Sequence, residues 1–180
     1  MVTKLPRDEL QARAARLRLV LSDCDGVLTD AGVYYSAEGE QLKRFSLRDG
    51  MGVARLREDG VETAIITRED SGIVARRAER LRLPYLYLGV RDKRAALPRV
   101  LAETGTTVAE LAYIGDDVND LGIISAIAAS GLTAAPADAM PSVLEQAHFA
   151  CPQRGGHGAF RDFAEWLLAL RAAARAGAAR

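Results

Sequence analysis

The stretch Leu19-Val-Leu-Ser-Asp-Cys-Asp-Gly-Val-Leu-Thr-Asp30 places three aspartates at the end of a short apolar run. Carboxylates so close together repel one another and are costly to take out of water. A chain that loads a strand end in this way needs a reason beyond stability. Cys24 alternates with Asp23 and Asp25, so it is expected to point to the opposite face and pack in the core.

The same rhythm repeats downstream. Val61–Thr67, Pro84–Gly89, Leu111–Asp116 and Gly131–Pro136 are further short apolar runs that end in Gly, Pro or polar residues. Helical patterns lie between them: Ser71–Leu81, Lys93–Gly105 and Val118–Ser130, with an opening helix at Asp8–Leu17 and a last one from about Ala159 to Ala174. Near-continuously apolar strands separated by helices predict a parallel sheet covered on both faces, a three-layer α/β/α fold. Gly32–Gly50 breaks the pattern. Strand-like Val33–Tyr35, a turn signal at Glu38–Gly39 and then Gln41–Phe45 predict a β-hairpin projecting from the first βα connection, a flap over about residues 32–47.

With 180 residues, 49% of them hydrophobic and 27% charged, the chain is expected to build one core and a single domain over 1–180. Its 24 Lys and Arg balance 24 Asp and Glu, so no overall basic field draws it to nucleic acid or an anionic membrane. No apolar run is long enough to span a bilayer and no signal-peptide pattern opens the chain, so a cytoplasmic protein is expected. Cys24 and Cys151 fit no metal-ligand spacing and read as free thiols. The alanine-rich end is expected to fray over about 174–180.

In open α/β sheets ligands bind beyond the carboxyl ends of the strands. There the chain carries Asp23 and Asp25, then Thr67, then Asp92 and Lys93, then Asp116, Asp117 and Asp120. Several carboxylates converging on one crevice call for a hard cation, and few protein oxygens with room for water and phosphate suit Mg²⁺. Thr67 and Lys93 are then placed to bind phosphoryl oxygens. Asp23 is read as a nucleophile forming an aspartyl-phosphate, and Asp25 as the acid and base that serves leaving group and water. Asp117 is read either as a water-mediated metal contact or as a helix cap. Asp120 either orients Lys93 or decorates a first turn. Asp30 is expected to brace the base of the hairpin.

"DCDGVLTD", "IIT", "DK" and "GDDVND", in this order and spacing, resemble the four signature motifs of the haloacid dehalogenase (HAD) superfamily. "YYSAEGEQLKRFSLRDGMGVARL" and "RGGHGAFRDF" extend the resemblance to its cap-less 3-deoxy-D-manno-octulosonate 8-phosphate (KDO 8-phosphate) phosphatases. That subfamily is related to phosphatases of nine-carbon sialic-acid-type phosphates, and to a domain fused to acylneuraminate cytidylyltransferases. The resemblance implies a Rossmann-like HAD fold without an inserted cap. It implies metal ligands at Asp23, Asp25 (through its backbone carbonyl) and Asp116, and catalytic roles for Asp23, Asp25, Thr67 and Lys93. Substrate contacts are implied at Ser46, Leu47, Arg48, Asp49, Gly50, Glu69 and Arg77. It also implies a homotetramer in which the hairpin and the Gly155–Gly158 segment close a neighbour's site, within reach of His157.

One departure bears on the substrate. The octulosonate branch has Thr-Gly-Arg where this chain has Thr67-Arg68-Glu69. A carboxylate there cannot pair with a sugar acid's own carboxylate; it accepts hydrogen bonds from hydroxyls or amines. Two other classes are weighed against a phosphatase: a phospho-accepting receiver domain, whose acidic pair and acceptor run in the opposite order, and a non-catalytic oligomerisation domain.

Overall fold

In a computed structural model describing residues 5–178, Leu19–Ser22 forms the buried strand β1 at the centre of a parallel sheet. An amphipathic helix, α1 (Arg7–Arg16), precedes it. The hairpin strands β2 (Thr29–Ser36) and β3 (Gly39–Phe45) follow it and lead into α2 (Leu47–Glu58). Strand–helix alternation then continues through β4 (Glu62–Ile66), α3 (Gly72–Leu81), β5 (Tyr85–Tyr87), α4 (Lys93–Thr104), β6 (Leu111–Ile114), α5 (Leu121–Ala128) and β7 (Leu132–Ala135). A short α6 (Pro141–Leu144), the two-residue β8 (Phe149–Ala150) and the long α7 (Ala159–Ala178) complete the chain.

The sheet order is β5-β4-β1-β6-β7-β8, with the hairpin forming its own two-stranded sheet. The order reverses at β1, whose neighbours β4 and β6 lie on either side in parallel register: Ser22 pairs with Ile65 and with Ile114. Asp23, Thr67 and Asp116 follow these strands, so their side chains emerge together at the switch point.

Alternation along β1 divides the core between the two faces. Val20 packs with residues of α2 and α7, whereas Leu19 and Leu21 pack with Tyr113, Ile123 and Val100 on the other face. Cys24 is buried in the first of these clusters, as its position between two aspartates requires.

Two boundaries depart from the expectations, and the Gly-rich segment makes contacts within its own chain. The hairpin spans Thr29–Phe45 rather than 32–47, and Ser46–Gly50 opens a helix, with Ser46 Oγ accepting from Arg48 N at 3.1 Å. The terminal helix runs through the stretch expected to fray, as far as Ala178. Alanine is the best helix former, and Arg171 and Arg175 both reach Asp59 at the end of α2, Arg175 at 2.8 Å. The last two residues of that expected tail, 179 and 180, lie outside the described residues. The Gly-rich segment packs on its own chain. A Cβ at Gly155 would lie 1.9 Å from Gly26 O, Gly156 N donates to Val27 O at 2.9 Å, and Arg44 donates to Gly156 O at 2.8 Å. The close approach these glycines permit is therefore to the β1–β2 loop, and His157 sits beside Arg44 at 3.3 Å.

Candidate active site

Asp23 is the first residue past β1 and is 5% exposed; its N–H donates to Ile114 O at 3.0 Å, which holds it to the sheet. Its Oδ1 accepts from Cys24 N at 2.7 Å, and its Oδ2 pairs with Lys93 Nζ at 2.7 Å. Lys93 opens α4, whose N-cap is Asp92, and its other partner is Asp120 Oδ1 at 2.6 Å. Burial by itself would neutralise the lysine, but Asp23 and Asp120 outweigh it and keep its pKa above the ordinary lysine value.

Asp120 is fully buried and both of its oxygens are occupied. Oδ1 also accepts from Tyr113 OH at 2.7 Å, and Oδ2 accepts from Asp116 N at 2.9 Å and Asp117 N at 3.4 Å. It meets both of its expected positions, paired with Lys93 and closing the first turn by accepting from Asp117 N, and it also fixes the loop that carries Asp116. Asp117 caps the turn that follows, accepting from Val118 N at 2.6 Å, while also lining the cavity.

Asp116 faces Gly26, where φ is +86° and a Cβ would lie 1.9 Å from Asp116 Oδ2; only glycine fits there. Burial, reinforced by the charges of Asp23 and Asp120, pushes Asp116 up to about 8, and burial likewise raises Asp23 above the ordinary carboxylate range. Carboxylate oxygens of Asp23, Asp116 and Asp120 lie within 4.8 Å of one another, and Asp116 Oδ1 is buried without a hydrogen-bond partner. A divalent cation fits this set. It would satisfy the orphaned oxygen and offset the repulsion, with Asp23 and Asp116 facing it because Asp120 is already spent.

A cavity of about 210 Å³ opens over these groups, lined by Asp23, Asp25 and Asp116 on one side and Thr67, Arg68 and Glu69 on the other. Thr67 Oγ1 accepts from Glu69 N at 3.3 Å, which turns the loop after β4 back over the site. The structure thus brings Asp23, Asp25, Thr67, Glu69, Asp116 and Asp117 to one cavity, with Lys93 and Asp120 beneath it.

The other expected substrate contacts lie elsewhere. Asp49 is 1% exposed and accepts from Arg161 N at 3.0 Å; burial raises it to about 6, and it ties α2 to α7. Arg77 stacks over Phe45 at 5.3 Å and donates to Ser46 O at 2.9 Å. With Gly50 and Leu47 it lines a separate surface groove. Ser46 caps α2, and Arg48 is exposed. None of these five residues, nor Arg48, lines the Asp23 cavity of its own chain.

Sequence reading missed Lys43, whose Nζ lies 2.7 Å from Asp25 Oδ1. It also missed Asn119, which lines the cavity, and the Arg68 side of the wall. Asn119 stood inside the quoted "GDDVND" motif, but Lys43 had no local signal because its partner is on another strand end.

No protein-family model matches the chain. The chain is 37% identical over 161 residues to 3-deoxy-D-manno-octulosonate 8-phosphate phosphatase KdsC of Yersinia pestis, covering 89% of this chain and 84% of that one. Among solved structures, the Moraxella catarrhalis octulosonate phosphatase in complex with a magnesium ion, a phosphate ion and a KDO molecule superposes with a TM-score of 0.85. It is 30% identical, over 96% of this chain and 97% of that one. The cobalt-bound Haemophilus influenzae enzyme has a TM-score of 0.84 at 34% identity, over 89% and 92% of the two chains. Fold and site together define a phosphoric monoester hydrolase of the HAD type. Within that class, the chain belongs to the family of 3-deoxy-D-manno-octulosonate 8-phosphate phosphatases.

Proposed function

We propose that this protein is a Mg²⁺-dependent phosphatase of a small sugar-acid phosphate, of the KDO 8-phosphate or nine-carbon ulosonate 9-phosphate kind. The observation that carries the reading is Asp23: a buried carboxylate at the switch point, held by Lys93 and sharing a cavity with Asp25, Thr67 and Asp116.

Asp23 attacks phosphorus through a carboxylate oxygen, and the bond from phosphorus to the sugar oxygen breaks. Asp25 gives that oxygen its proton. Asp25 then takes a proton from water, whose oxygen attacks the aspartyl-phosphate, and inorganic phosphate leaves as Asp23 is restored. Thr67 and Lys93 hold the phosphoryl oxygens, and Lys93 supplies charge where negative charge builds. Asp23, Asp116 and the backbone carbonyl of Asp25 would hold Mg²⁺, which when bound would supply electrostatic stabilisation of the phosphoryl group.

Glu69 at the cavity wall and Arg68 beside it are the substrate-facing groups of this chain. They favour a substrate that offers hydroxyl or amine hydrogens to Glu69 and its carboxylate elsewhere. Ser46–Gly50 and Arg77 reach a substrate only across a subunit boundary, consistent with a homo-oligomer, a tetramer by family likeness. Exposed Tyr34, Tyr35 and Leu42 on the hairpin suit such a contact. We place the enzyme in the cytoplasm; among the described residues no helix is long and apolar enough to cross a membrane.

The test is phosphate release, with Mg²⁺, from a panel of sugar phosphates that includes eight- and nine-carbon ulosonate phosphates. Selective turnover of an ulosonate phosphate supports the reading. Turnover confined to unrelated phosphates overturns the substrate class.

A further inference from the structure

Lys43 is an unusual residue to find at the base of a flap. Its side chain is 1% exposed, and Nζ is 2.7 Å from Asp25 Oδ1 and 3.3 Å from Glu40 Oε2. Burying an ammonium is costly, and an apolar residue would anchor a hairpin as well. The strand is shaped to make this pairing. Tyr34 pairs with Leu42 but Tyr35 pairs with Glu40, so Gln41 bulges out and Glu40 turns to the same side as Lys43. Glu40 is held in turn by the hydroxyl of Ser71, the N-cap of α3.

The consequence falls on Asp25. Its Oδ1 takes both available donors, Lys43 Nζ and Thr29 Oγ1, the latter at 3.2 Å, while Oδ2 is buried without a hydrogen-bond partner. The two oxygens of one carboxylate are thus made unequal.

We propose that Lys43 is a positioning residue for proton transfer: by pinning Oδ1 it fixes the orientation in which the Asp25 carboxyl, at the cavity wall, exchanges a proton with the departing sugar oxygen and the attacking water. This rests on the phosphatase reading above. The proton leaves the Asp25 carboxyl as the bond from phosphorus to the ester oxygen breaks, and the carboxyl takes one from water as the phosphoryl–Asp23 bond is hydrolysed. Glu40 and Ser71 hold Lys43 from behind.

The test compares kcat/KM, which reads phosphoryl transfer to Asp23, for a sugar alkyl phosphate and for p-nitrophenyl phosphate, whose leaving group departs without a proton. In Lys43→Met, kcat/KM for the alkyl ester is expected to fall about tenfold to a hundredfold, a share of what a general acid contributes. The aryl ester should lose at least tenfold less, and Lys43→Arg should recover part of the difference. A structural role would lower both esters alike, so equal losses, or no loss, overturn the proposal. If Lys43→Met does not fold, Lys43→Gln, which keeps a hydrogen-bond donor, is judged by the same ratio. A parent enzyme that cleaves neither ester sinks the phosphatase reading itself. An active parent with an unmoved ratio sinks only the role of Lys43.

Discussion

Lys93 Nζ and Asp120 Oδ1 stand 2.6 Å apart in a pair that solvent does not reach, the lysine 1% and the aspartate 0% exposed. The pair lies under Asp23, so the charge that grips this carboxylate is itself fixed from below. Removing one partner of a buried pair leaves an uncompensated charge. Asp120→Ala would also strip a partner from Tyr113 OH and from the N–H of Asp116. We expect it to lose about 3–5 kcal/mol in urea unfolding, by analogy with other broken buried pairs. A loss below about 1 kcal/mol would show that Lys93 finds another anchor.

The crowding of Asp23, Asp116 and Asp120 predicts that a divalent cation stabilises the fold. Mg²⁺ at a hundred times its Kd should stabilise the parent by about 2.7 kcal/mol, seen as a rise in Tm. Asp116→Asn should lose most of that rise while folding normally, and chelation should stop turnover. An unchanged Mg²⁺ response in Asp116→Asn would place the metal elsewhere.

Close backbone contact at the hairpin base predicts intolerance at Gly155. A Cβ there would meet Gly26 O at 1.9 Å and Thr29 O at 3.1 Å, both backbone atoms that cannot swing away. Gly155→Ala is expected to cost about 1–3 kcal/mol by overpacking and to lower kcat by moving the β1–β2 loop. Wild-type thermal stability in this variant would refute the packing.

His148 predicts a pH dependence away from the site. Burial, and secondarily the charge of Arg13, lower its pKa from 6.5 to about 4, and its Nδ1 accepts from Thr133 N at 3.1 Å. The folded state therefore binds the proton less readily than the unfolded chain. Its contribution to stability is whole above pH 6.5 and falls as the pH drops toward 4. Allowing for screening of a half-buried ring, the loss should be about 1–2 kcal/mol. It is read as the difference between wild type and His148→Gln in urea unfolding at the two ends of that range. A constant difference would contradict it.

The parallel sheet was legible because every strand but one is an apolar run bounded by Gly, Pro or polar residues, and because the carboxylates stand at strand ends. β8 escaped notice because two residues carry no periodicity, and Phe149–Ala150 is a strand only through its pairing with β7. The site's floor was legible in Asp23, Lys93 and Asp116, which sit in contiguous motifs. Lys43 was not, because its meaning depends on a bulge at Gln41 and on Asp25, eighteen residues away. Asp49 and Arg77 were named through the family likeness alone; in this chain Asp49 accepts from Arg161 N and Arg77 stacks over Phe45, outside the Asp23 cavity.

The phosphatase proposal makes Asp23 the nucleophile that accepts the phosphoryl group in a covalent intermediate. Phosphate release from KDO 8-phosphate with Mg²⁺ should be abolished in Asp23→Asn while circular dichroism shows the fold retained. Release at the parent's rate from the same variant would contradict the account.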